Sequence, residues 1–166
     1  MKQSFLISLA VLVLAMPQVY AAGAADSIRV SDAYARAVPP GQPNSAFFMV
    51  LENTADRDHA LVAAESGVAK AVELHNHSME GSMMRMRRVE QIGLGAGESV
   101  ALRPGGLHVM LIGLIRQLEP GQRVDLTLVF EDGSRSDVEA PVRRVSVNGG
   151  THKADRCGSG RCGGGP

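Results

Sequence analysis

Beyond Asp26 the chain never sustains an apolar pattern for longer than a β-strand, and turn-forming residues break in at short, regular intervals. Candidate strands cover residues 28–36, 45–52, 59–65, 69–77, 83–92, 99–103, 107–111, 123–130 and 135–142. Between them lie Pro39-Pro40-Gly41, Asn53-Thr54-Ala55-Asp56, Glu80-Gly81, Gly95-Ala96-Gly97, Pro104-Gly105-Gly106, Glu119-Pro120-Gly121 and Asp132-Gly133. In the eighth segment Val124, Leu126, Leu128 and Phe130 share one face, with Asp125 and Thr127 on the other. Asp132-Gly133 reads as a type I′ hairpin turn, because both residues tolerate positive φ. A short helix over 68–75 is the alternative to the fourth strand. No longer amphipathic helix competes, so the pattern restricts the fold to an all-β sandwich or barrel.

The two ends of the chain stand apart from this pattern. Residues 3–16 are mostly apolar and follow Lys2, which suits the core of a secretory signal and is too short to span a bilayer. Small residues near Ala21 place the expected cleavage after it, giving a signal peptide over 1–21 and an exported, soluble product with no membrane span. No Cys precedes that point, so a lipid anchor is not expected. From Asn148 the chain is rich in Gly and nearly free of apolar residues, so 148–166 is expected to be a flexible tail. One domain over 22–147 remains. Basic and acidic residues balance at 17 each, and loss of Lys2 leaves −1. Such a chain carries no field for general nucleic-acid binding. Both cysteines, Cys157 and Cys162, lie in the tail, so no disulfide staples the domain.

Methionine is unevenly spread. Of the six Met beyond the signal, five fall between Met79 and Met110, and three of the five His lie between His75 and His108. As strand residues, His75 and His77, Met84 and Met86, and His108 and Met110 are i, i+2 pairs that leave one face together. The Pro104-Gly105-Gly106 turn is expected to fold 107–111 back on 99–103. Thioether sulfur is soft and imidazole is borderline, so the pair favours Cu(I) over Mg²⁺ or Ca²⁺ and over zinc. Outside the cytoplasm thioethers also escape the disulfide chemistry that removes thiolates. Against this, Met is a common gap-filler, and Met49 reads as core. Met83 and Met84 divide between packing and surface, and Met79 reads as exposed. His59 reads as a solvated strand-end residue. His77 stands between a solvent-facing side chain and a substitute ligand, and Arg85, Arg87 and Arg88 between a solubilising face and a patch steering an acidic partner.

The spacing His75-x10-Met86-x21-His108-x-Met110 resembles the signature of the PCu(A)C family of periplasmic copper chaperones. The flanks agree: Ser31-Asp32-Ala33-Tyr34, Arg36 to Pro43, Glu73-Leu74-His75, Met84-Arg85-Met86-Arg87 and Pro104 to Leu111. Tyr34 stands where the family commonly has Trp. The resemblance spans about residues 28–142. It implies a cupredoxin-like Greek-key β-sandwich binding one Cu(I) through His75, Met86, His108 and Met110. It also implies delivery toward the binuclear copper centre of cytochrome c oxidase, with a Sco-like thioredoxin-fold protein and the oxidase copper subunit as partners. The protein is expected to be monomeric. Family members often carry a metal-binding C-terminal extension, and here His152, Cys157 and Cys162 could form a second, redox-gated copper site. A copper-buffering role without a dedicated recipient is the alternative. A blue-copper carrier would need a Cys beside two His, and 26–147 has none. An enzyme would need an open metal position and a general base, and the spacing of Glu73, Glu80 and Glu90 suggests neither.

Overall fold

The computed structural model describes residues 23–80 and 83–145. The expected signal peptide and the tail with His152, Cys157 and Cys162 lie outside them. A one-turn helix, α1 (Ala24–Ser27), precedes ten strands: β1 (Ile28–Arg36), β2 (Asn44–Asn53), β3 (His59–Glu65), β4 (Ala69–Glu80), β5 (Met83–Arg88), β6 (Ile92–Leu94), β7 (Ser99–Leu102), β8 (His108–Leu114), β9 (Arg123–Phe130) and β10 (Arg135–Arg143). The hydrogen-bonded order is β5-β4-β8-β2-β1-β10-β9-β3-β6, with β7 also on β2. β1 and β10 pair in parallel, at Ala35–Val142 and Arg36–Arg143. The strands fold into a cupredoxin-like β-sandwich, one layer centred on β2 and β8, the other on β9 and β3.

The core lies between the layers. Phe47, Met49 and Leu51 of β2, Leu74 of β4 and Val109 and Leu111 of β8 are buried from one side. Leu61 of β3 and Val124, Leu126, Leu128 and Phe130 of β9 are buried from the other. These residues occupy alternate positions, as a pleated strand requires. Each large side chain so buried contributes roughly 1.5–3 kcal/mol over an exposed one. Met49 is 1% exposed, as its strand position suggested.

The expected strand over 69–77 is present, in place of the alternative helix: β4 runs as strand from Ala69, with both of its edges paired, to β8 and β5. Three local readings need correction. The apolar run 83–92 is two strands, since β5 pairs β4 in one layer and Ile92 of β6 pairs Leu61 of β3 in the other. β7 and β8 do not form a ladder with each other. They lie end to end along the same edge of β2, at Met49–Glu52 and Asn44–Phe47. The β9–β10 turn is not type I′: Gly133 has φ 79°, whereas Asp132 is not in the positive region. Gly133 N donates to Phe130 O at 2.9 Å and Phe130 N donates to Ser134 O at 3.0 Å, which makes a three-residue loop with its glycine in the left-handed position.

Candidate metal centre

β4 and β8 run antiparallel in a register that sets His75 opposite His108 and Glu73 opposite Met110. Across its other edge, β4 sets His77 opposite Met86 and His75 opposite Arg88 of β5. Directly opposed residues project from the same face, so one face of the first layer carries His75, His77, Met86, His108 and Met110 together. The intervening Leu74 and Val109, themselves a cross-strand pair, turn into the core. The four residues singled out by spacing thus share a surface, and His77 joins them. Arg88 shares this face, while Arg85 and Arg87 alternate onto the other side of β5. The part-exposed ring of His77 is not simply turned to solvent, since its Nδ1 is buried.

β2 and β1 back the cluster. Ala46, a small side chain, pairs with Met110. Phe48, two residues on, is 4% exposed although it points away from the core. Its ring lies 6.3 Å from that of His108 and 5.2 Å from that of Tyr34. Tyr34 reaches this face through a β-bulge. The pairing of β1 with β2 shifts by one residue between Ser31 and Tyr34, at Asp32, which has φ 50°. Without the extra residue Tyr34 would alternate toward the core; with it, Ala35 turns inward and Tyr34 outward. Nothing in the sequence pattern marked that bulge.

The imidazoles are close-set. The His108 ring lies 5.2 Å from that of His77 and 5.8 Å from that of His75. His108 is 3% exposed. Its Nδ1 donates to Gly106 O at 2.9 Å, which leaves Nε2 as the ring's acceptor nitrogen. The same carbonyl accepts from His77 N at 3.3 Å, so the Pro104-Gly105-Gly106 turn anchors two of the imidazole-bearing residues. Burial pushes the His108 pKa down, and His77, His75 and Arg36 repel its proton further, against the pull of the Gly106 carbonyl. His75 Nε2 stands 2.9 Å from Glu73 Oε2. The His75 donor, helped by Arg88, holds the Glu73 carboxyl below its ordinary value. A carboxylate only accepts, so His75 carries a proton on Nε2, and the neutral ring held this way has its lone pair on Nδ1. Arg88 Nη1 lies 3.5 Å from the other Glu73 oxygen.

His75 Nδ1 and His77 Nδ1 are the buried side-chain polar atoms that find no hydrogen-bond partner among the described residues. Each such nitrogen costs roughly 1–3 kcal/mol in a folded chain. Both lie on the face that also carries the thioethers. Among the described residues no three His, Cys, Asp or Glu side chains are disposed to hold an ion by themselves. Met86 and Met110 add thioether sulfur to the imidazoles on this face. The set is neutral and mixes nitrogen with sulfur, which suits a soft monocation. Met86 is 44% exposed and forms the outer rim. A cleft of about 730 Å³ lies elsewhere, lined by Val38, Pro39, Gln117, Glu119 and Arg144 among others, away from this donor set.

A second buried histidine sits apart from this cluster. His59, expected to be solvated, is 6% exposed. Its Nδ1 lies 2.6 Å from Glu131 Oε1, and its Nε2 is 3.5 Å from Arg57 Nε. Glu131 Oε2 accepts from Ala60 N at 2.7 Å. Burial alone would raise the Glu131 carboxyl, but the donors of His59 and Ala60 outweigh it and hold the pKa below normal. The reason for the burial is tertiary: the β9–β10 loop brings Glu131 over β3 from 72 positions away.

Residues 28–142 match the LpqE-like family model, which describes the PCu(A)C family. The chain belongs to the PCu(A)C family. A Leifsonia xyli subsp. xyli protein whose name calls it a lipoprotein, Lxx21020, is 36% identical over 123 residues, 74% of this chain and 73% of that one. The copper-bound PCuAC domain from PmoF2 superposes with a TM-score of 0.62 at 27% identity, covering 76% of this chain and 97% of that domain. The solution structure of CuI-DR1885 from Deinococcus radiodurans gives 0.58 at 34% identity, over 69% and 76% of the two chains.

Proposed function

We propose that this PCu(A)C protein is a periplasmic copper chaperone that holds one Cu(I) on the outer face of its β4–β8 ladder, through His75, Met86, His108 and Met110. The observation that carries this reading is the convergence of orphaned imidazole nitrogen and thioether sulfur on one face. The copper named in the related PmoF2 and DR1885 structures supports the choice of metal. Copper is cargo here. Glu73 fixes the tautomer of His75, and Gly106 that of His108, so neither ring must reorganise to present a lone pair. His108 is sunk beneath its neighbours and keeps the ion. Met86 stands at the rim and leaves first, so an incoming Cys or His replaces donors one at a time and the ion is never bare. Met86 and Arg88 of β5 border the path of exchange.

The recipient we propose is the binuclear copper centre of cytochrome c oxidase, reached directly or through a Sco-like protein. The test has two parts. Anaerobic Cu(I) titration against a competing chelator should show one tight site, weakened by His108→Ala and by Met86→Ala; unchanged affinity in both variants removes the site. Deleting the gene should lower the copper content of the oxidase. If oxidase copper is unchanged and copper tolerance falls, the protein buffers copper and has no delivery role.

A further inference from the structure

We propose that His77 is a second donor for the corner that Met86 occupies, so that the face accepts Cu(II) as well as Cu(I), the imidazole serving the oxidised ion and the thioether the reduced one. This rests on the copper-binding reading above and specifies how the site treats the two oxidation states.

The register supplies the first observation. His77 and Met86 are directly opposed on β4 and β5, so the two side chains stand side by side at the same edge of the cluster. His75 and His108, opposed one step along, form its other side. A donor on His77 and a donor on Met86 therefore approach the same region from neighbouring strands.

The second observation is the state of the His77 ring. It lies 5.2 Å from His108, nearer than His75 does, and its buried Nδ1 has no partner. A structural histidine in this protein looks different: both ring nitrogens of His59 face groups of the chain. Among the described residues no three imidazoles are disposed about one point, so His77 engages by turning about its side-chain bonds. Its part-exposed position leaves room for that movement.

The third observation is chemical. Cu(II) prefers nitrogen and oxygen in a tetragonal array, whereas thioether sulfur favours Cu(I). Losing one thioether and gaining one imidazole moves the set from two nitrogens and two sulfurs to three nitrogens and one sulfur. Glu73 adds a carboxylate behind His75, which favours the ion of higher charge. The proposal concerns binding of each ion as supplied and includes no electron transfer within the protein.

The experiment loads the full mature chain separately with Cu(II) and, anaerobically, with Cu(I), and compares His77→Ala, His77→Gln and Met86→Ala with the parent. Electron paramagnetic resonance of the Cu(II) form reads the coordinated nitrogens directly. Both His77 variants should lose one nitrogen from that signature and about tenfold or more in Cu(II) affinity, while Cu(I) affinity changes by less than about threefold. Met86→Ala should do the reverse. Thermal unfolding of the metal-free variants checks that each remains folded. If the His77 variants keep the parent spectrum and Cu(II) affinity, or weaken both ions equally, the proposal fails. The two readings fail separately: loss of Cu(I) binding in His108→Ala with no effect of His77 sinks only this inference, whereas Cu(I) binding indifferent to His75 and His108 sinks the site itself.

Discussion

His108 and His59 are both buried, one on the outer face of the first layer and one on β3 of the second, yet the chain treats them oppositely. His59 is closed off by its own protein, with Glu131 on one nitrogen and Arg57 facing the other. Around His108 one nitrogen of each ring is either fixed by a single acceptor or left without one. Nδ1 of His108 is tied to Gly106 and Nε2 of His75 to Glu73, while Nδ1 of His75 and of His77 find no partner among the described residues. Burial by itself therefore says little about a histidine's role. What separates a packing residue from a donor is whether the fold completes its hydrogen bonds.

Exchanging the two roles gives the largest expected effects. His108→Ala should weaken Cu(I) by at least about 100-fold in a chelator competition, because it removes the most buried donor, and should cost little stability. His59→Ala should leave that affinity unchanged and lower unfolding free energy by about 1–3 kcal/mol in denaturant titration, since Glu131 loses its buried donor. A variant at His59 that loses copper, or one at His108 that keeps it, erases the contrast. Glu73→Ala tests the fixing of His75 from behind. It should lower Cu(I) affinity by about tenfold without removing the site, and an unchanged value means that the tautomer of His75 is set by other groups.

The smallest effect concerns Asp132, beside Glu131 in the same loop. Its carboxylate accepts from Ala24 N at 2.7 Å and Ser134 N at 2.9 Å. Hydrogen bonds from Ser134 and Ala24 lower its pKa from 3.8 to about 2. A carboxyl depressed on folding stabilises the fold above its unfolded pKa, and the gain is lost as pH falls from about 4 toward about 2. Asp132→Asn should flatten that part of the acid unfolding profile and cost about 0.5–1 kcal/mol at neutral pH. An acid limb identical to the parent's places the sensitivity on other carboxylates. Copper affinity should not respond, because the loop belongs to the His59 side of the comparison.

Much of this was readable in advance, for a definite reason. Side-chain alternation is a property of any strand, so the pairs His75/His77 and His108/Met110 had to share faces once the segments were extended. The spacing of His75, Met86, His108 and Met110 resembles the signature of the family whose model residues 28–142 match. Other features had no local signal. The run 83–92 reads as one strand, and its division into β5 and β6 follows from two partners in different layers. The Asp32 bulge that brings Tyr34 onto Phe48 depends on a one-residue mismatch with β2. The burial of His59 depends on a carboxylate 72 positions away.

By itself, then, the sequence determined that this is an all-β chain whose imidazoles and thioethers collect on strand faces, because period-two alternation and turn residues act locally. Tertiary structure decided which strands became neighbours, and with that, which donors stand opposite one another: His75 against His108, His77 against Met86. It also decided which histidine would have its hydrogen bonds completed. Hydrogen-bond satisfaction is a contest among groups far apart in the chain, and only the folded arrangement settles it.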